Sequence, residues 1–185
     1  MVQRRLRSFA AVTVAALLAS VAACSNDDAP GPDAAPEGST AREPVDAPDF
    51  VLAVYDAIAA LESQLGEEQE FFEVTANAQF TNVFVATDEG TVAVPYLYVD
   101  GELQPPAPGQ EGASGDTFTA ADVDFEPNMI LSGVAADLPD TTIDALSVYG
   151  DGVGTVYVLG ATSKVGGQLD IRVTASGAIV SVDPI

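Results

Sequence analysis

The residues that could carry chemistry in this sequence are few in kind: one cysteine, 28 aspartates and glutamates, six lysines and arginines, and no histidine. Without histidine, neither a Ser-His-Asp nor a Cys-His arrangement can form. A pair of carboxylates can hydrolyse a glycoside, but in so acidic a chain any two carboxylates resemble a pair. We therefore predict that this protein is not an enzyme, because the usual combinations of acid, base and nucleophile are missing.

The acidic residues most suggestive of a metal site are Asp122, Asp124 and Glu126, which alternate with a valine and a phenylalanine. In an extended chain these three carboxylates project to one side, as a calcium site would need. Where an EF-hand requires glycine and then glutamate, however, this sequence has proline and glycine. The alternation is typical of an amphipathic segment. We therefore predict no bound metal and no cofactor.

Four other side chains could belong to binding sites. Lys164 and Arg172 are the only positive charges in the predicted folded body. They could form an anion site, although pairing with neighbouring carboxylates is the commoner outcome. Tyr96 and Tyr98 share one face of a predicted strand and could form an interaction surface, since tyrosine is enriched at interfaces. The alternative is that both tyrosines cover a sheet face beneath a helix or loop.

The only thiol, Cys24, lies where an apolar stretch gives way to an acidic one. The first 23 residues have the three parts of an export signal: an arginine-rich start, an apolar run at 9–21 and two small residues. The run is short for a membrane span of about 20 residues. Val-Ala-Ala-Cys24 resembles the lipobox of bacterial lipoproteins. An ordinary signal peptide cut before Cys24, or an uncleaved anchor, remains an alternative.

This resemblance implies that the Cys24 thiol carries a diacylglycerol and becomes the new N-terminus after cleavage. Acyl chains bind membranes with about 0.8 kcal/mol per buried CH₂, and two chains anchor stably. We therefore expect a protein held by its lipid at the outer side of the cell membrane. Residues 24–45, which are rich in proline, alanine and acid, are predicted to form a disordered tether after Cys24. Treated as a flexible coil, it spans about 25 Å.

The mature chain would have 162 residues, enough for one domain or two small ones. Because the signal removes three arginines, its formal charge would fall from −22 to −25. Such a chain repels nucleic acid, whose binding depends on lysine and arginine neutralising phosphates. We therefore expect the membrane and an unknown envelope protein or apolar ligand as partners, and no nucleic acid.

The same order of predicted elements, a helix followed by strands, occurs in residues 46–101 and again in residues 126–185. This order predicts an α+β fold of two helix-plus-antiparallel-sheet units. The first half begins with a helix near Asp46 that Gly66 can end, followed by alternating strands at 71–80, 82–87 and 91–99. In the first strand the side chains predicted to share a face are Phe72, Val74, Ala76, Ala78 and Phe80. Pro95 predicts an edge position or a bulge.

The second half begins with a weaker helix at 127–139, and strand-like segments follow at 144–150, 153–163, 168–175 and 178–185. Residues 102–125 between the halves are predicted to form a Pro/Gly-rich linker or loop. Whether the two halves share one sheet or form two lobes is left open by the sequence.

The closing segment, residues 169–185, resembles the strand–turn–strand ending of PepSY-type domains. The tandem helix-plus-sheet order is similar to that of beta-lactamase inhibitory proteins. Both resemblances imply a fold and not a function. Two functions follow as hypotheses. The protein is an interaction module that presents a sheet face or the 102–117 loop to an envelope partner, or it carries or senses a small apolar, lipid-like ligand held between helices and sheet.

Overall fold

The structure is a computed structural model that describes residues 42–185. The predicted signal peptide, Cys24 and residues 24–41 of the predicted tether lie outside the described residues. The described chain forms helices and one antiparallel sheet, which confirms the α+β class. The helices are α1 (Asp49–Leu65), a 3-10 helix (Ala120–Asp122), α2 (Pro127–Ile130) and α3 (Ser132–Asp137). The long strands are β1 (Glu70–Asn77), β2 (Thr81–Thr87), β3 (Val92–Val99), β7 (Thr141–Gly150), β8 (Thr155–Ser163), β9 (Gln168–Val173) and β10 (Ile179–Pro184). The short strands are β4 (Glu102–Leu103), β5 (Gln110–Glu111) and β6 (Phe118–Thr119).

Helix α1 forms where apolar residues recur at three- and four-residue steps, and its apolar side packs on β1, β2, β4 and β7. It begins three residues later than the predicted Asp46. Ala47 precedes a proline, which disfavours helical backbone, and its N–H donates to Asn128 Oδ1 at 3.2 Å. Gly66 ends the helix as predicted, in the left-handed conformation with φ +80°.

Strands from both predicted halves belong to a single sheet with the order β10-β9-β8-β7-β1-β2-β3-β4. Strands β1 and β7 pair antiparallel at its centre, with Thr75 opposite Ser147. Each half continues outward from this pair through consecutive hairpins. The question of one sheet or two lobes is thereby answered in favour of one sheet.

A β-bulge in β1 changes which of its side chains face the core. The register with β2 moves from Phe71–Val85 to Glu73–Phe84, so that Phe72 is an extra residue. Phe71 is therefore fully buried beside Val74, whereas Phe72 lies on the opposite face and is only partly covered. The prediction that Phe72 shares a face with Val74 is wrong.

The Pro/Gly-rich segment between the halves builds the outer edge of the sheet instead of a free loop. Short strands β4 and β5 pair with the outer side of β3, and between them the Ala107 N–H donates to the Pro95 carbonyl at 3.0 Å. Pro95 therefore lies in the last long strand before this irregular edge, as its missing N–H predicts. The chain then crosses to β1, where β6 pairs with Glu70 and Phe71.

Helices α2 and α3 replace the single predicted helix, and the turn between β9 and β10 packs closely against them. A side chain at Gly177, which has φ +78°, would overlap the Met129 carbonyl, and one at Gly133 would overlap the Gly177 carbonyl. On the other side, the Val45 N–H donates to the Asn128 carbonyl at 2.8 Å. Residues 42–45, predicted as part of the tether, are thus held against the domain.

The described helices all cover one face of the sheet, and the core lies between these helices and that face. The sheet side chains of this core that are fully buried include Phe71, Val74, Val83, Leu146, Leu159 and Ile171. Tyr96 also belongs to this face and is 8 % exposed, and Tyr98 is partly buried against the same core. The prediction that Tyr96 and Tyr98 form an interaction surface is therefore corrected: the register of β3 with β2 turns both rings toward α1, as in the alternative of a covered sheet face.

Candidate functional site

The candidate site is the side of the sheet opposite the helices, which we call the open face. Alternation along the strands places every second residue of the long strands on it. Its central side chains are Glu73, Thr75, Asn82, Phe84, Ser147, Tyr149, Val158, Asp170, Arg172 and Asp183. Each of these ten residues is partly or fully exposed. The open face therefore offers a continuous surface of mixed apolar and polar character.

A polar row runs through the middle of the open face. Thr75, Ser147, Val158 and Arg172 lie directly opposite one another on four successive strands. The Thr75 and Ser147 hydroxyls lie 2.8 Å apart, and Thr75 also donates to a Glu73 carboxylate oxygen. These bonds fix the orientation of the Glu73, Thr75 and Ser147 side chains.

One side of the open face is acidic. Asp170 of β9 lies directly opposite Asp183 of β10. Asp183 accepts a hydrogen bond from Ser181 at 3.0 Å, and Asp144 accepts one from Thr162 at 2.6 Å. No described lysine or arginine lies within ion-pair distance of these three carboxylates. Like charges directly opposite on a sheet are destabilising, so this arrangement costs the fold some stability.

The other side of the open face is apolar and is partly covered by the chain itself. Phe72, Phe84 and Ala93 line a shallow cleft of about 220 Å³ together with Ala113 and Ser114. The segment that begins at Ala113 is the one that crosses from the outer edge to β1. It covers only this end of the open face.

The predicted basic candidates are all engaged in exposed ion pairs. Arg172 Nη2 lies 3.7 Å from Asp151 Oδ2, and Lys164 Nζ lies 3.1 Å from Asp140 Oδ1. These two basic residues lie in different places and do not form a common anion site. Exposed pairs of this kind contribute about 0–1 kcal/mol each.

The predicted metal candidates do not converge. Asp122 follows β6 and accepts hydrogen bonds from the Thr119 N–H at 2.8 Å and the Thr119 hydroxyl at 2.9 Å. These bonds lower the pKa of Asp122. Asp124 instead accepts from Tyr157, and Glu126 directly precedes α2. Within residues 42–185, no three carboxylates are close enough together to hold a metal ion.

A tyrosine pair connects α1, the segment after the 3-10 helix and β8. The Tyr157 hydroxyl donates to Asp124 Oδ1 at 2.9 Å and accepts from the Asp124 N–H at 3.2 Å. Tyr55 donates to the Phe125 carbonyl, and the Phe125 ring lies between the two tyrosine rings, with centroid distances of 4.8 and 5.4 Å. Burial, followed by the neighbouring Tyr157 and the nearby carboxylates, raises the pKa of Tyr55 to about 12. Burial also raises the pKa of Tyr157. We interpret this group as structural, because its polar atoms are satisfied by one another.

A wider cleft of about 550 Å³ lies beside Tyr157. Asp122, Asp124 and Arg172 border it together with Val156 and Val173. Its border therefore combines charged and apolar groups.

Among the described helices, none is both long and apolar enough to cross a membrane.

Sequence reasoning missed the residues of the open face as a site. The alternation in β1 indicated that one face would be polar, but the pairing of β1 with β7 joins residues that lie about 70 positions apart in the sequence. The polar residues of β7 and β9 carried no motif of their own.

Comparison with known proteins gives a likeness in fold. The structure is similar to the crystal structure of a predicted lipoprotein from Clostridium difficile 630, with a TM-score of 0.53 and 13 % sequence identity. The similarity covers 70 % of this chain and 91 % of the other. No protein-family model matches the sequence, and no curated protein matches it significantly. At this identity the likeness shows the fold alone.

Proposed function

We propose that this protein is a lipid-anchored lipoprotein of the bacterial envelope whose domain binds another envelope protein through the open face. The anchor would be the diacylated Cys24 of the lipobox-like sequence, at the outer side of the cell membrane. The similarity of fold to another predicted bacterial lipoprotein supports this assignment. The domain would act without catalysis, as an interaction module.

The observation that carries this proposal is the uneven covering of the sheet. Every helix of residues 42–185 packs on one face, where the sheet residues are closed from solvent. The other face keeps Tyr149, Val158 and Phe84 partly accessible among hydroxyl groups. Aromatic side chains in a polar surrounding are the usual composition of protein interfaces.

The function as carrier of an apolar ligand finds less support. An acyl chain needs a mainly apolar pocket. The cleft of about 550 Å³ is instead bordered by Asp122, Asp124 and Arg172. The mainly apolar cleft beside Leu131, Val134 and Ile143 measures about 290 Å³, which is below the roughly 300–1,000 Å³ of usual ligand sites. We therefore favour the interaction module over the carrier.

Photo-crosslinking in living cells tests the proposal. A photoreactive amino acid replaces Ser147 at the centre of the open face, and in a control variant it replaces Ala59, which is exposed on α1. We expect a discrete adduct of defined mass from position 147 and none from position 59. The proposal is wrong if position 147 and further positions on the open face, such as Asn82 and Val158, give no adduct. It is also wrong if position 59 gives the same adduct.

A further inference from the structure

The charges of the open face define what kind of partner it fits. Its carboxylates are Glu73, Asp144, Asp170 and Asp183, and its one basic residue is Arg172. Arg172 already lies 3.7 Å from Asp151. The face therefore presents unbalanced negative charge in the part of the chain that the structure describes.

We infer that the open face binds an extended, cationic segment of a partner protein, which places lysine or arginine side chains against its carboxylates. This inference rests on the proposed function and names the chemistry of the partner. The directly opposed Asp170 and Asp183 repel each other in the free domain. A partner's ammonium or guanidinium group between them would relieve that repulsion and add attraction of its own.

The apolar surface beside the carboxylates suits such side chains. Ala145 and Gly160 lie opposite each other on β7 and β8, and Gly160 lies opposite Asp170. The small side chains leave room in front of this part of the sheet. Lysine and arginine stems lie along apolar surface while their charged ends reach a carboxylate. Val158 and Tyr149 supply further contact area next to them.

The spacing of the carboxylates sets the spacing of the cations. From Glu73 on β1 to Asp170 on β9 there are three strand-to-strand steps, through β7 and β8, which is about 14 Å across the sheet at roughly 4.8 Å per step. Asp170 lies in the row of Asn77, four residues along β1 from Glu73, which adds about 13 Å along the strands. The two positions are therefore about 20 Å apart. An extended segment covers this distance in about six residues. We therefore expect basic residues at alternate positions of the segment, so that the first and about the seventh residue face the sheet together.

Anionic partners are disfavoured by the same charges. With a formal charge of −22, the chain repels nucleic acid and anionic lipid headgroups. A second copy of this chain would be repelled in the same way. A basic polypeptide is the class of partner for which both the overall charge and the local arrangement are favourable.

Binding of a model peptide to the full-length protein tests the inference. The probe is a short peptide of alternating lysine and valine, and its matched control has glutamine in place of lysine. The test variant is D170N with D183N on the open face. The control variant, D88N with E89Q, removes the same charge from the turn between β2 and β3.

We expect the lysine peptide to bind and the glutamine peptide to bind at least tenfold more weakly. D170N with D183N removes two exposed ion pairs to the peptide and should weaken binding about twofold to thirtyfold. The control variant should change the dissociation constant less than twofold at the same ionic strength. An equal loss in both variants would mean attraction to the overall charge alone and would overturn the inference, as would equal binding of the two peptides.

Folding of the test variant is itself informative. Because the two substitutions remove a repulsion, we expect the variant to unfold at the same temperature as the parent protein or at a higher one. In cells, D170N with D183N should lower the yield of the adduct from position 147. If the adduct forms at full yield, the cationic partner is wrong while the interaction module stands. If no open-face position gives an adduct, the proposed function itself fails.

Discussion

The contact between Gly177 and the α2–α3 junction leaves no room for a side chain at position 177. Gly177 belongs to the tight turn that joins β9 to β10, and its N–H donates to the Thr174 carbonyl at 2.8 Å. Its backbone lies directly against Met129, and an added Cβ would also lie 2.8 Å from Ser132 Oγ. Replacing Gly177 by alanine therefore forces the hairpin and the helices apart.

The magnitude follows from two separate costs. A non-glycine residue in the left-handed region costs about 1–2 kcal/mol, because its Cβ approaches the following carbonyl. Overpacking a close contact costs a further 1–3 kcal/mol, roughly, because the backbone must shift. We expect Gly177→Ala to lower the free energy of unfolding by about 2–5 kcal/mol. For a domain of this size that corresponds to a fall in Tm of roughly 6–15 °C.

Gly166→Ala is the matched control. Gly166 lies in the turn between β8 and β9 with φ +97°, but an added Cβ there meets no atom within 4 Å. It should show the backbone cost alone, about 1–2 kcal/mol. Urea unfolding followed by circular dichroism measures both variants, and an unchanged slope would show that the same unfolding transition is compared. Equal losses in the two variants would refute the idea that the hairpin and helices are interlocked at Gly177.

Three further predictions concern the hydroxyl and carboxyl groups of the structural network. Tyr157→Phe should lower the unfolding free energy by about 1–3 kcal/mol, because the Asp124 N–H loses its acceptor. Tyr149→Phe on the open face should change this free energy little, and urea titration compares the two variants. Because the folded-state pKa of Tyr55 lies above the ordinary value of 10, its contribution to the unfolding free energy should be full below pH 10 and fall toward pH 12. Thermal unfolding at alkaline pH measures this fall, which Tyr55→Phe should flatten. The lowered pKa of Asp122 has the opposite sign: its contribution is present at neutral pH and lost as the carboxyl is protonated, so an Asp122→Asn variant should lose less stability than the parent on acidification.

The elements with a strong local pattern were predictable from the sequence. Helix α1 follows from its apolar spacing and from Gly66, and the seven long strands follow from alternation and from the glycines between them. Each of these patterns depends on residues only a few positions apart, so the sequence alone is enough to predict the element. Cys24 belongs to the same group, since its prediction depends on adjacent residues, and it stays a prediction here.

The errors arose where tertiary packing decided between two local choices. The bulge at Phe72 inserts one residue into β1, and a period-two pattern cannot show such an insertion. Tyr96 and Tyr98 share one face of β3 as predicted, but the alternation of side chains does not say which face of a sheet the helices will cover. That choice depends on α1, whose apolar side packs on β1 and β2.

The position of the segment between the halves explains why one sheet forms and why its open face remains accessible. Residues 102–111 follow the outer side of β3, so the chain reaches β1 again only after it has closed that edge. Strand β6 then pairs with Glu70 and Phe71 of β1, and β7 pairs with residues 73–77 of the same strand. The second half of the chain therefore continues on the side of β1 that faces away from β2. Helices α2 and α3 follow directly and lie on the same face as α1. The connection therefore brings both sets of helices to one face. Of the residues that the structure describes, only the crossing at Ala113 lies over the other face.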